Sequence, residues 1–143
     1  MFEFTDRCVL VIGPDARGRA ACDFLRRRGA RVDVLAESDT PELREVATGL
    51  RASGFEVCLG ATSLPEKDYA FVIVGGELSA TSPLALEAAA RNLPVFSELE
   101  LGFHQANCLT IAITGTNGKS TTAGLVARLL TGNQRRVMVC GHE

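Results

Sequence analysis

A chain of 143 residues holds one α/β domain, or one domain and the opening of a second. Its 46% hydrophobic and 22% charged content is ordinary for a globular protein with a packed core, which excludes disordered and low-complexity classes. A net charge of −2 without a basic stripe argues against nucleic acid as a partner.

The N-terminal residues Met1 to Arg7 precede a short apolar run, Cys8–Ile12. That run is too short for a signal core or a membrane span, so a cytoplasmic protein with no membrane partner is expected. Cys8–Ile12 reads as a first strand. Gly13-Pro-Asp-Ala-Arg-Gly18 follows and enters a helix with Ala21, Cys22, Phe24 and Leu25 on its apolar side. Arg26, Arg27 and Arg28 sit at the helix end, where cations complement the dipole, and Gly29 stops it. Val32–Leu35 is a second strand. Pro41 opens a helix with Leu43, Val46, Ala47 and Leu50 at helical spacing. Phe55–Leu59 and Tyr69–Val74 are the third and fourth strands, the latter ended by Gly75 and Gly76. Pro83 starts a helix through Leu86, Ala89 and Ala90. Pro94–Phe96 is a fifth strand, and Leu99–Phe103 a short connecting helix.

A new strand is expected at Leu109–Thr114, then Gly115-Thr-Asn-Gly-Lys-Ser-Thr121 and a helix through Leu125, Val126, Leu129 and Leu130. Arg136–Cys140 reads as one more strand. This alternation predicts an α/β fold: a Rossmann-like, mainly parallel five-stranded sheet with helices on both faces. After it come the first strand, phosphate loop, helix and strand of a second α/β domain. The boundary is expected near residue 106, giving domains 1–106 and 107–143.

The five cysteines, Cys8, Cys22, Cys58, Cys108 and Cys140, are odd in number and show no CxxC spacing. A disulfide framework is not expected, and a reducing compartment is the natural reading. His104 and His142 are not grouped with cysteines at zinc-ligand spacing.

Two glycine loops carry chemistry. In Gly115–Thr121 the glycines let the backbone turn its amides toward phosphate oxygens, and the following helix adds its positive end. Lys119 would place a cation at the β and γ phosphates, and Ser120 a hydroxyl on Mg²⁺. The general pattern G-x-x-x-x-G-K-[ST] fails at its first position, which is Ile113. In Gly13–Gly18 a dinucleotide fingerprint lacks its middle glycine, replaced by Asp15. The residue ending strand two, where an acidic group would meet a ribose, is Ala36, with Glu37 after it. Arg17 is a candidate phosphate contact or a solvated helix-start arginine.

Ile113-Thr-Gly-Thr-Asn-Gly-Lys-Ser-Thr-Thr122 resembles the ATP loop of the Mur ligases, the amide-forming enzymes of peptidoglycan precursor synthesis. Asn117 and Ser120 look most like the D-glutamate-adding members. Upstream, the loop Gly13–Gly18, the stretch Val74–Pro83 and Pro94-Val-Phe-Ser-Glu-Leu-Glu-Leu101 are similar to the family in the same order. The resemblance implies that the first domain binds the uridine diphosphate part of UDP-N-acetylmuramoyl-L-alanine, through Gly13, Arg17, Gly18 and Gly76. It implies that Gly115, Thr116, Asn117, Gly118, Lys119, Ser120 and Thr121 bind ATP, with Ser120 on Mg²⁺ and Lys119 stabilising transferred charge. The implied reaction forms an acyl phosphate on the substrate carboxylate, from which the amine of D-glutamate displaces phosphate. Further metal ligands, an activating lysine and a third domain are expected beyond residue 143, so this chain alone is expected to be inactive. Three departures, Asp15 with Arg17, Ala36, and Val74-Gly75-Gly76, fall on the uridine side; the ATP loop is whole. Two other readings stay open: a stand-alone nucleotide-binding or regulatory module with a decayed Mur N-terminal domain, and a dinucleotide-binding oxidoreductase domain.

Overall fold

The computed structural model describes residues 3–75 and 82–141. The chain divides into two compact units, Met1–Gln105 and Ala106–Glu143.

The first unit is built on strands β1 (Cys8–Ile12), β2 (Arg31–Ala36), β3 (Glu56–Leu59), β4 (Phe71–Val74) and β5 (Val95–Ser97). They pair in the order β3-β2-β1-β4-β5, every pair parallel. Its helices are α1 (Ala16–Arg27), α2 (Pro41–Ala52), α3 (Pro83–Ala90) and α4 (Glu98–Gln105). This is the mainly parallel α/β arrangement that the alternation predicts.

Side chains alternate across a strand, so a central parallel strand must be apolar on both sides. In β1, Val9 and Val11 join a cluster with Val32, Val34, Phe71, Ile73, Cys22 and Leu25. Leu10 and Ile12 face the other way, into a cluster with Leu35, Val72, Leu84 and Ala88. The first cluster is covered by α1 with contributions from Leu50 and Leu101, the second by α3 and the segment carrying Leu64 and Tyr69. Each such side chain contributes about 1.5–3 kcal/mol relative to exposure.

Two local expectations change. The helix at Pro83 turns Leu84 and Ala88 inward, while Leu86 is 56% exposed. Its composition is apolar nearly all round, so spacing does not single out one face. The fourth strand begins at Phe71 rather than Tyr69. Tyr69 is drawn aside by its hydroxyl, which donates to Asp33 Oδ2 at 2.7 Å. Burial, then that hydrogen bond, raises the Tyr69 pKa above the usual tyrosine range.

The order β3-β2-β1-β4 places the topological switch point between β1 and β4. There the chain leaves β1 at Gly13 and β4 at Gly75. A Cβ on Gly18 would lie 1.9 Å from the Gly13 carbonyl oxygen, and one on Gly75 would lie 2.6 Å from that oxygen and 2.8 Å from Gly18 Cα. Three backbones therefore meet where no side chain fits, and this contact seats the start of α1 against the sheet.

The second unit contains helix α5 (Lys119–Gly132). The strands expected at Leu109–Thr114 and Arg136–Cys140 are not formed: neither segment has a ladder partner among the described residues. A strand is held by a hydrogen-bonded neighbour and a covered face. Leu109 and Met138 have no cover, at 102% and 87% exposure.

All five thiols are free. Desolvation pushes the buried Cys22 thiol up to about 12, which leaves it protonated and inert at neutral pH.

Two glycine substitutions should separate close approach from backbone entropy. Gly18→Ala should destabilise the first unit by roughly 2 kcal/mol or more, because its methyl meets a fixed carbonyl. Gly49→Ala, in exposed mid-helix with nothing near its Cβ, should stabilise by about 0.5–1 kcal/mol. Urea unfolding of the two variants beside the parent chain reads both; equal midpoints would show that the glycine contact is not tight.

Candidate nucleotide sites

The first site lies outside the carboxyl ends of β1 and β4. Gly13 turns the chain with φ 89° and donates its N–H to Leu35 O at 2.9 Å. Asp15 follows as the N-cap of α1. Its Oδ1 accepts from the amides of Arg17 at 3.1 Å and Gly18 at 2.8 Å. Helix N-termini leave such amides unpaired, and a short acidic side chain satisfies them well. Gly75 donates its N–H to Ile12 O at 2.8 Å, continuing the sheet pattern. Thus Gly13 and Gly18 are brought together as the fingerprint requires, but the amides of Gly13, Arg17, Gly18 and Gly75 all have partners within the protein. Gly76 lies outside the described residues.

Arg17 points to α4, where its guanidinium pairs with Glu98 at 3.5 Å. The start of α4 is fixed by Ser97 and Glu100. The Ser97 amide donates to Glu100 Oε2 at 2.7 Å and the hydroxyl at 2.9 Å, while Glu100 N donates back to Ser97 Oγ at 3.1 Å. This is a capping box. The two donors on Ser97, amide first, hold the Glu100 carboxyl below the usual range.

A second carboxylate at this edge had no assigned role in the sequence. Glu37, one residue past β2, accepts from the Ser82 hydroxyl and from the Leu84 amide at 3.1 Å through the same Oε1. The buried Ser82 hydroxyl in turn accepts from Ala85 N at 3.2 Å as the N-cap of α3. Ser82 before Pro83 is a readable cap signal. The 45-residue separation of Glu37 from Ser82 is not readable from pattern.

The second site opens α5. Gly115 has φ 154° and Gly118 has φ 76°, a left-handed conformation that only glycine adopts cheaply. Gly118 is the N-cap of α5, and no side chain caps this helix start. Thr116 and Asn117 form the turn between the glycines; Lys119, Ser120 and Thr121 are the first helical residues, all exposed. Lys119 Nζ donates to Gly115 O at 2.8 Å, so the ammonium folds back over the loop. The helix starts α1, α2 and α3 are capped by Asp15, Thr40 and Ser82 respectively. The start of α5 has no side-chain cap on its first-turn amides, the Lys119 ammonium lies over the loop, and Ser120 stands in the first turn. That donor set suits a phosphate chain and its metal.

Among the described residues, no group of three or more His, Cys, Asp or Glu side chains is placed to hold a metal. No helix there is long and apolar enough to cross a membrane.

Comparison with known proteins agrees with this organisation. No family model matches the chain. The precorrin-2 dehydrogenase SirC superposes with a TM-score of 0.51 over 92% of this chain and 69% of its own, at 18% identity, a likeness of fold alone. The UDP-N-acetylmuramoylalanine–D-glutamate ligase of Frankia casuarinae is 38% identical over 135 residues, 94% of this chain and 29% of its own length. That of Syntrophus aciditrophicus is 38% identical over 138 residues, and that of a Geobacillus strain 33% over 141. The chain spans about three tenths of the length of these relatives. Alongside the strand order and the two glycine loops, this likeness along nearly the whole chain makes it similar to the D-glutamate-adding Mur ligases, consistent with an N-terminal part of them.

Proposed function

We propose that this chain is the nucleotide-sugar unit and ATP loop of an ATP-dependent ligase joining D-glutamate to UDP-N-acetylmuramoyl-L-alanine. The observation that carries the reading is the uncapped start of α5, where Gly118, Lys119 and Ser120 present phosphate-binding groups. The relatives' printed name supports the choice of substrates.

In this reading the backbone amides of Gly115–Thr121 hold the β and γ phosphates of ATP. Lys119 leaves the Gly115 carbonyl and follows the charge of the transferred phosphoryl group, and Ser120 ligates Mg²⁺. Magnesium, when bound, neutralises the phosphate oxygens. The substrate carboxylate attacks the γ-phosphorus, the bond to ADP breaks, and an acyl phosphate forms. The amine of D-glutamate then displaces inorganic phosphate and leaves an amide. The work of the loop is positioning and charge stabilisation. A cytoplasmic location suits ATP as the substrate. A dinucleotide-dependent oxidoreductase is disfavoured, because the relatives that match along nearly the whole chain carry a ligase name, while the dehydrogenase shares only the fold at 18% identity.

Two measurements test the reading. Lys119→Ala should weaken Mg-ATP binding to the 143-residue chain by about tenfold or more in calorimetric titration, since a charged hydrogen-bond donor is lost. Ser120→Ala should narrow the difference between ATP with Mg²⁺ and ATP with EDTA; unchanged affinities in both variants would remove the loop from the proposal. The same chain, supplied with UDP-N-acetylmuramoyl-L-alanine, D-glutamate and Mg-ATP, should release no phosphate above background. Ligation is proposed to need the remaining length of the relatives, and sustained phosphate release would overturn that requirement.

A further inference from the structure

We infer that Glu98 regulates the nucleotide edge of the first unit as its resident counter-ion, holding the Arg17 guanidinium until a substrate phosphate replaces it. The inference rests on the ligase reading, which supplies the UDP-linked substrate, and goes beyond it by naming the group that the diphosphate displaces.

The need for a side-chain cation follows from the backbone. The amides of Gly13, Arg17, Gly18 and Gly75 already donate to Leu35 O, Asp15 Oδ1 and Ile12 O. A diphosphate at this edge is therefore met by side chains rather than by loop amides. Arg17 stands in the first turn of α1, and its guanidinium reaches the residue just past β5, the parallel neighbour of β4. That places a cation at the carboxyl ends of the strands, on a side chain that is 41% exposed.

The contact between Arg17 and Glu98 is suited to exchange. One guanidinium nitrogen faces Glu98 Oε1 at 3.5 Å, beyond the ~2.7–2.9 Å of a closed charged hydrogen bond. Arg44 and Asp39 show the closed form in the same unit, with contacts at 2.7 and 3.0 Å. A long, solvated, single-contact pair contributes little stability. A phosphate offers Arg17 more charge and a second acceptor oxygen that fits the guanidinium fork. Once released, Glu98 keeps a favourable place in the first turn of α4, where the helix dipole favours an anion. The capping box of α4 is made by Ser97 and Glu100, so the helix start does not depend on the pair. Asp15 also stands beside Arg17, but it holds two amides and stays on its cap. Glu98 is the carboxylate that can let go.

The test titrates the whole chain calorimetrically with UDP and, as a probe without phosphate, uridine. The proteins are the parent, Glu98→Gln, Arg17→Gln and the double variant, each checked for folding by far-ultraviolet dichroism. Glu98→Gln should bind UDP about fivefold more tightly or better, and Arg17→Gln about tenfold more weakly. In the Arg17→Gln background, Glu98→Gln should bring a gain of less than about twofold, because the two residues act as one pair. Uridine affinity should be the same in every form, which a general disturbance of the edge would not leave. Equal UDP affinity in parent and Glu98→Gln, or the same gain with and without Arg17, would overturn the inference and leave the ligase reading in place. UDP binding absent from every form would remove the substrate reading, and the inference with it.

Discussion

The first unit depends on the approach of three backbones, at Gly13, Gly18 and Gly75. The sheet twists, and α1 must cross its central strands at close range to cover Val9, Val11 and Ile73. A side chain at Gly18 or Gly75 would hold the helix off the strands and open the cluster. The same approach puts the first turn of α1 at the carboxyl ends of β1 and β4, where α/β sheets bind nucleotides. Packing and ligand geometry thus make the same demand for glycine, and the glycines alone do not reveal which demand they serve.

Helix capping separates the two. Every α-helix starts with unpaired amides, and something must satisfy them. In α1, α2 and α3 the chain supplies its own oxygen, from Asp15, Thr40 and Ser82, and Glu37 adds a further acceptor at α3. In α5 the chain supplies none, and the preceding Gly118 is bent into a conformation that brings backbone rather than side chain to the helix end. An anion from outside is therefore redundant at the first three starts and complementary at the last. Lys119, resting on Gly115 O, holds a neutral partner that a phosphate oxygen replaces with a stronger, charged one.

Legibility in the sequence followed this division between local and long-range causes. The central strands were readable because β1 and β4 are apolar on both faces and β2 carries Val32, Val34 and Leu35, and Pro41 and Pro83 marked helix starts directly. Gly115–Thr121 was readable as a loop because its geometry is local. Leu109–Thr114 and Arg136–Cys140 have strand composition without strand structure, since composition cannot provide a ladder partner. The buried face of α3 was hidden by its uniform apolarity. Asp15 was visible only as an interruption of a glycine pattern, although an acidic residue just ahead of a helix is also a cap signal. Glu37 was invisible because its partner lies across the sheet edge.

Asp15 matters because the two interpretations of that interruption lead to different chemistry. As a mere loss, it leaves a weakened nucleotide loop that any strong ligand still occupies. As a cap, it stabilises the folded unit through two hydrogen bonds, so binding a phosphate there also costs the cap. The fold shared with a dehydrogenase and the sequence shared with amide ligases are both compatible with either state. In both, one carboxylate oxygen, 2.8 Å from the amide of Gly18, caps α1 on a scaffold whose glycines remain in place for packing.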